Sequence, residues 1–356
     1  PERSHFNHAR FDKAPPSRFE DNAIFWGAAP GPEFSPKIQH FCGVGAFRLK
    51  APSLPLKHDR MSKDDAQIPI GIIGGSGLYE MDGFSERQPL VVPTPFGAPS
   101  DVIMGGLLAG RRVYFLPRHG RGHRILPTEI NHRANIYALR SLGVRFIIAV
   151  TACGSLQEEY APCDVVLPDQ FFDRTSRREH HTFFGGGIVA HVGFAEPISA
   201  GLRTLLHEAC VAQGRRVHNG GVYVNMDGPA FSTRAESLVN RTLGFDVIGM
   251  TNLAEAKLAR EAEIALATLA MITDYDCWKM EEEPVTAQQI IGHLHANAAA
   301  AREILAAVIP RIPAAATWPE HRALDAAVVT DRSIWPGETR EKLAAILARW
   351  ESDHPM

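Results

Sequence analysis

The stretch Ile68-Pro-Ile-Gly-Ile-Ile-Gly-Gly-Ser-Gly77 decides the fold. Its first half is a short isoleucine-rich run behind a proline, which reads as a buried strand. Its second half is a turn of small residues, in which backbone N–H groups and the Ser76 hydroxyl can approach an anion. A strand running straight into such a turn fits either a phosphate-binding α/β domain or a tight structural turn that needs glycine. A dinucleotide fold would add an acidic residue about 20 positions on, at the end of a second strand. The chain instead reads Val91-Val-Pro-Thr-Pro-Phe-Gly97, which lacks that carboxylate and interrupts the unit with prolines.

Outward from this stretch, apolar runs alternate with helical patterns. Strands are expected at 68–73, 101–108, 112–117, 145–151, 164–170, 219–226, 245–250 and 266–273. Helices are expected at 128–142, 198–213, 232–242, 253–263 and 286–309. This is an α/β chain with a mixed central sheet and helices on both faces. The domain spans 61–312. Residues 313–356 read as a linker and a packing helix from Arg340 to Trp350, with Thr339 as its N-cap. The first sixty residues hold eight prolines, a charge of 9 basic minus 6 acidic, and no sustained period. They read as a disordered extension, with the functional chain starting at Met61.

Composition narrows the function. Hydrophobic residues are 45% and charged residues 22%, the balance of a soluble globular protein, and no apolar run is long enough to span a bilayer. A net charge of −3 gives no footprint for nucleic acid or membrane, so a small-molecule partner is expected. The five cysteines form no disulfide framework or metal pattern, which favours a cytoplasmic location.

Further motifs follow the glycine turn. Leu116-Pro-Arg-His-Gly-Arg-Gly-His123 places Arg118, a planar fork for phosphate oxygens, beside His119. Ala149-Val-Thr-Ala-Cys-Gly-Ser155 ends a buried strand in small residues that let a flat ligand lie on backbone; Cys153 reads as packing rather than as a nucleophile. Asp227-Gly-Pro-Ala-Phe-Ser-Thr-Arg-Ala-Glu236 offers Phe231 for stacking, and Val247-Ile-Gly-Met-Thr251 runs into a helix capped by Asn252. Thr273-Asp-Tyr-Asp-Cys-Trp278 sets Asp274 and Asp276 two apart at a strand end, projecting the same way, as a candidate acid/base pair.

In this order, from Ile68 to about Ile312, the motifs resemble the purine nucleoside phosphorylase family in its methylthioadenosine-cleaving branch. The resemblance implies a homotrimer of α/β subunits that cleaves the N-glycosidic bond of 5'-methylthioadenosine with phosphate, giving adenine and 5-methylthioribose 1-phosphate. It implies no metal and no cofactor, phosphate being a co-substrate. It assigns phosphate to Ser76, Arg118, His119, Thr151 and Thr251. It assigns the nucleoside to Ala152, Cys153, Gly154, His191, Phe231 and Met250, and catalysis to Asp274 and Asp276. The sequence departs from the family at Asp227, Ala230, Gly249 and Asn252-Leu-Ala-Glu255, which bears on selectivity. The rivals are a 6-oxopurine nucleoside phosphorylase, a non-catalytic nucleoside-binding member and, more distantly, a nicotinamide oxidoreductase.

Overall fold

A computed structural model describes residues 67–75, 78, 81–176, 178–279 and 287–355, without the side chains of 287–291. The expected extension 1–60, the start at Met61 and the phosphate candidate Ser76 lie outside the described residues.

Among the described residues, eleven strands make one mixed sheet. Its first half is β1 (Ile70–Gly74), β2 (Ser85–Leu90), β3 (Ile103–Leu108) and β4 (Arg111–Pro117). β1 is parallel to β4, while β4, β3 and β2 are joined antiparallel. After α1 (His132–Ser141), β5 (Phe146–Ser155) lies parallel to β1 on its other side. The second half comprises β6 (Val165–Leu167), β7 (Gln170–Asp173), α2 (Ala200–Ala212), β8 (Val217–Asn219), β9 (Val222–Asn225), α3 (Arg234–Thr242), β10 (Val247–Gly249), α4 (Asn252–Glu261) and β11 (Ala265–Asp274). α5 (Ala287–Val308), α6 (Gly337–Lys342) and α7 (Ala344–Asp353) close the chain.

The sheet forks at β5. Along most of its length β5 pairs in parallel with β11, which continues to β6 and β8. At its end Gly154 and Ser155 pair instead with β10, which continues to β9 and β7. The fork explains why the single strands expected at 164–170 and 219–226 are each two strands. Pro168-Asp169 interrupts the first, and Gly220-Gly221, both at φ +116°, turns the second. The first piece of each serves one arm of the fork and the second piece the other. β2 was not expected because Ser85-Glu-Arg-Gln-Pro-Leu90 carries no alternation; it is an exposed edge strand, where Pro89 is tolerated.

β5 and β11 are buried along nearly their whole length, as strands covered on both faces must be. α1 packs with α4 and α7, and α2 with α5; α4, α2 and α5 all reach β11. Beyond Ile312, Leu324, Leu343, Ile346 and Leu347 are fully buried in the same core. Arg111 ties that segment down by donating to the Ile312 and Pro313 carbonyls. The expected helix 340–350 is two helices meeting at Leu343, and Thr339 is not their cap: its hydroxyl donates to the Gly186 carbonyl at 2.7 Å.

Candidate active site

The expected residues gather where β1, β4 and β5 end and α4 begins. Arg118, one residue past β4, is tied to β1 by its backbone N–H, which donates to the Gly74 carbonyl at 3.0 Å. Its guanidinium does not stand open as a fork for phosphate. Nε and Nη2 donate to the two oxygens of Glu255 at 2.6 and 3.0 Å, Nη1 to Val150 O at 2.6 Å and Nη2 to Ile73 O at 3.3 Å. Four of the five guanidinium N–H donors are therefore spoken for. The side chains are only 3% and 1% exposed. Burial works to raise the Glu255 carboxyl, but the Arg118 charge and hydrogen bonds outweigh it and hold the group below its ordinary value, ionised.

A second line of bonds fixes Glu255. Asn252 Nδ2 donates to Glu255 Oε2 at 3.1 Å, and Thr268 Oγ1 donates to Asn252 Oδ1 at 2.5 Å. Asn252 is thus the first residue inside α4 rather than its cap; Thr251 takes the cap position, and Asn225 Oδ1 accepts from the Leu253 N–H at 3.1 Å. Thr251 and Thr151 are both buried, at 4% and 7% exposure, and each adjoins in the chain a residue bonded to this ion pair, Asn252 and Val150.

His119 brings a different character from the one expected. Its Nδ1 lies 2.9 Å from the Ile125 carbonyl, which can only accept, so that nitrogen carries the hydrogen. Burial pushes its pKa down to about 4, helped by the Arg118 charge. Neutral His119 therefore offers a lone pair at Nε2, not a cation. Its ring stacks on His123 with centroids 4.3 Å apart.

The base-facing group forms at the end of β11. Thr273 Oγ1 donates to Asp274 Oδ2 at 2.7 Å, and the Asp276 N–H donates to Asp274 Oδ1 at 2.7 Å. Strand alternation does not set the pair: β11 ends at Asp274, and Asp276 sits in a turn at φ +52°. Gly154 brings the two together with β5, since a Cβ there would lie 3.2 Å from Asp274 Oδ1 and 3.3 Å from Asp276 Cβ. Burial raises both carboxyls above their ordinary value. The Thr273 hydroxyl and the Asp276 N–H work against the rise at Asp274, and the Ser237 and Ser232 hydroxyls against it at Asp276. α5 holds the strand end in place: Asn297 Nδ2 donates to Ile272 O at 2.8 Å, and His293 Nδ1 bonds Thr273 O.

Among the nucleoside candidates, Ala152 is exposed and Gly154 half-buried on one face of β5. Cys153 is 2% exposed, its thiol pushed up to about 12 by burial, so it serves packing. Met250 packs on the Gly228 turn, where a Cβ would meet its sulfur at 2.4 Å. The structure does not bring in two of the others. Phe231 is 72% exposed, covering little of the chain, and His191 lines a cleft of about 470 Å³ with His181, Phe184, Lys257 and Glu261 but with none of the other candidates. Glu255, Ser232 and Asn225 were given no site role from the sequence; a carboxylate one turn into a helix that starts at a strand end was the available signal for Glu255. Among the described residues, no group of three or more His, Cys, Asp and Glu side chains is placed to hold a metal, and no helix is long and apolar enough to cross a membrane.

Comparison with known proteins gives one answer. The sequence model of the Phosphorylase superfamily matches residues 69–310. The S-methyl-5'-thioadenosine phosphorylase of Gloeobacter violaceus is 53% identical over 296 residues, 81% of this chain and 98% of the relative. That of Geobacter sulfurreducens is 51% identical over 281 residues, 79% of this chain and 98% of the relative. Among solved structures, a methylthioadenosine phosphorylase from an antarctic soil metagenomic library superposes with a TM-score of 0.76 at 46% identity, covering 79% of this chain and 99% of its own. The methylthioadenosine phosphorylase of Schistosoma mansoni, in complex with adenine, gives 0.67 at 35% identity, covering 79% and 98%.

Proposed function

We infer the reaction from membership: the chain belongs to the Phosphorylase superfamily, in its S-methyl-5'-thioadenosine phosphorylase branch, and it cleaves 5'-methylthioadenosine with phosphate to adenine and 5-methylthioribose 1-phosphate. The observation that carries the reading at the site is the half-buried pair Asp274 and Asp276 against Gly154, whose missing side chain leaves room for a flat base to reach both carboxyls. Adenine leaving its sugar must gain a proton at N7. Asp274, raised by burial, holds a proton to higher pH than a free carboxyl and donates it there, while Asp276 accepts from the N6 amino group. The sugar passes through an oxocarbenium-like state that bound phosphate first stabilises and then attacks at C1'.

Phosphate meets the donors of Thr151, Thr251 and the one Arg118 N–H left over, and its own P–OH donates to His119 Nε2, with Ser76 completing the set in this proposal. The ion pair with Glu255 sets the guanidinium in place before the anion arrives. The proposal includes no metal or cofactor, and a cytoplasmic homotrimer. Purified protein incubated with methylthioadenosine should release adenine only when phosphate is added, and should prefer adenosine-type to inosine-type nucleosides. Preference for inosine-type substrates would replace this reading with the 6-oxopurine phosphorylase, and no cleavage at all with the binding protein.

A further inference from the structure

Tyr223, on β9, is fully buried, yet its hydroxyl has no well-aligned hydrogen-bond partner among the described residues. Its polar neighbours are the Thr151 hydroxyl and the Cys153 thiol, and Cys153 packs with Tyr223 in one apolar cluster. Both lie on β5 and share one face by strand alternation. Residue 249 completes the enclosure: a Cβ on Gly249 would come within 1.9 Å of Tyr223 Oη, so the hydroxyl fills space that any side chain there would need. A buried hydroxyl with no assigned bond is costly unless it serves its neighbours.

We propose that Tyr223 is a positioning residue for the phosphate co-substrate, its hydroxyl donating to Thr151 Oγ1 and so turning the single Thr151 proton outward to the anion. The proposal rests on the reading that Thr151 binds phosphate. A threonine hydroxyl has one hydrogen and two lone pairs, and only the hydrogen attracts an anion. Left to itself, Thr151 points that hydrogen at the Ala152 carbonyl, 3.4 Å away, or at Tyr223. With Tyr223 as donor, a Thr151 lone pair is occupied from behind and the proton faces the ligand. The Cys153 thiol is held protonated by burial, and in this arrangement its S–H, a weak donor, turns to Tyr223 Oη. The three protons then run one way, from Cys153 through Tyr223 and Thr151 to the anion, and each bond polarises the next. Burial likewise keeps the Tyr223 phenol neutral, so the relay orients dipoles and transfers no charge.

Tyr223→Phe keeps the ring and removes one oxygen, so the fold should survive with its Tm unchanged. The KM for phosphate should rise about three- to tenfold, the loss of one oriented hydrogen bond. The KM for methylthioadenosine should stay within about twofold. In a Thr151→Val background, where no hydroxyl remains to orient, adding Tyr223→Phe should leave phosphate affinity, read by phosphate-induced thermal stabilisation, within about twofold of Thr151→Val alone. An unchanged phosphate KM in Tyr223→Phe, equal losses for both substrates, or the same loss with and without the Thr151 hydroxyl would overturn the proposal. Failure of the wild type to release adenine in a phosphate-dependent way would instead overturn the reaction, and this inference with it.

Discussion

On the anion side of the site, Arg118 and Glu255 answer each other's charge, and Asn252, itself held by Thr268, donates to one Glu255 oxygen. On the base side, Asp274 and Asp276 are half-buried, and Asp274 leans on the Thr273 hydroxyl and the Asp276 backbone N–H. The same cost, taking a carboxylate out of water, is met in two ways. Beside a guanidinium the carboxyl ionises and becomes a strut. Without one it moves toward the protonated form and becomes a proton source. Glu255 and Asp274 thereby receive opposite roles from their surroundings.

The largest effect is expected at the proton source. Asp274→Asn should lower methylthioadenosine turnover about 100-fold or more, the scale of a lost general acid, while phosphate binding stays near wild type and 6-oxopurine nucleosides gain relative to adenosine-type ones. Steady-state kinetics with both substrates varied would show it, and an equal loss of phosphate affinity would erase the division between the two sides. Glu255→Gln comes next. It leaves a buried guanidinium without its counter-charge, at a cost of about 3 kcal/mol in phosphate-free buffer. Phosphate should then stabilise the variant more than the wild type, because the anion takes up the freed donors; calorimetry with and without phosphate measures the difference.

The pH profile sharpens the contrast. A working acid must be protonated, so kcat at saturating substrates should fall as pH rises through the raised Asp274 carboxyl. His119, already neutral from about pH 4 upward, should add no inflection near 6.5, and His119→Gln should leave the shape of the curve unchanged. The smallest effect concerns a third buried acid outside both regions. Glu261 accepts from Thr182 Oγ1 and Phe183 N, and burial lifts its pKa to about 7. Its folded pKa lies above the unfolded one, so its contribution to stability is complete below about pH 4.3 and lost as pH rises through 7. Glu261→Gln should therefore raise Tm by about 2 °C at pH 8 and leave it unchanged at pH 4. A uniform shift at both values would mean that burial alone does not set such carboxyls.

What could be read in the sequence follows from range. The run at 68–77 and the continuous apolar stretches of β5 and β11 carry their own signal, because strands covered on both faces are apolar throughout. β2 carries none, being a polar edge. The fork depends on Pro168 and on Gly220-Gly221, whose effect appears only when the partners of each half-strand are known. At the site, the chemical types of Asp274, Asp276, Thr151 and Thr251 were legible, and their surroundings were not. Arg118 meets Glu255 across 137 positions, and Tyr223 meets Gly249 only because β9 and β10 lie side by side. No period or motif encodes such contacts. They decide, however, whether an arginine is a fork or a strut and whether a histidine is a cation or a lone pair.

The most direct test follows both products together. With methylthioadenosine and inorganic phosphate, adenine measured by chromatography and a new sugar phosphate measured by phosphorus NMR should appear in equal amounts, and neither should form when phosphate is omitted. Adenine released at the same rate without phosphate, or without a matching sugar phosphate, would contradict the account.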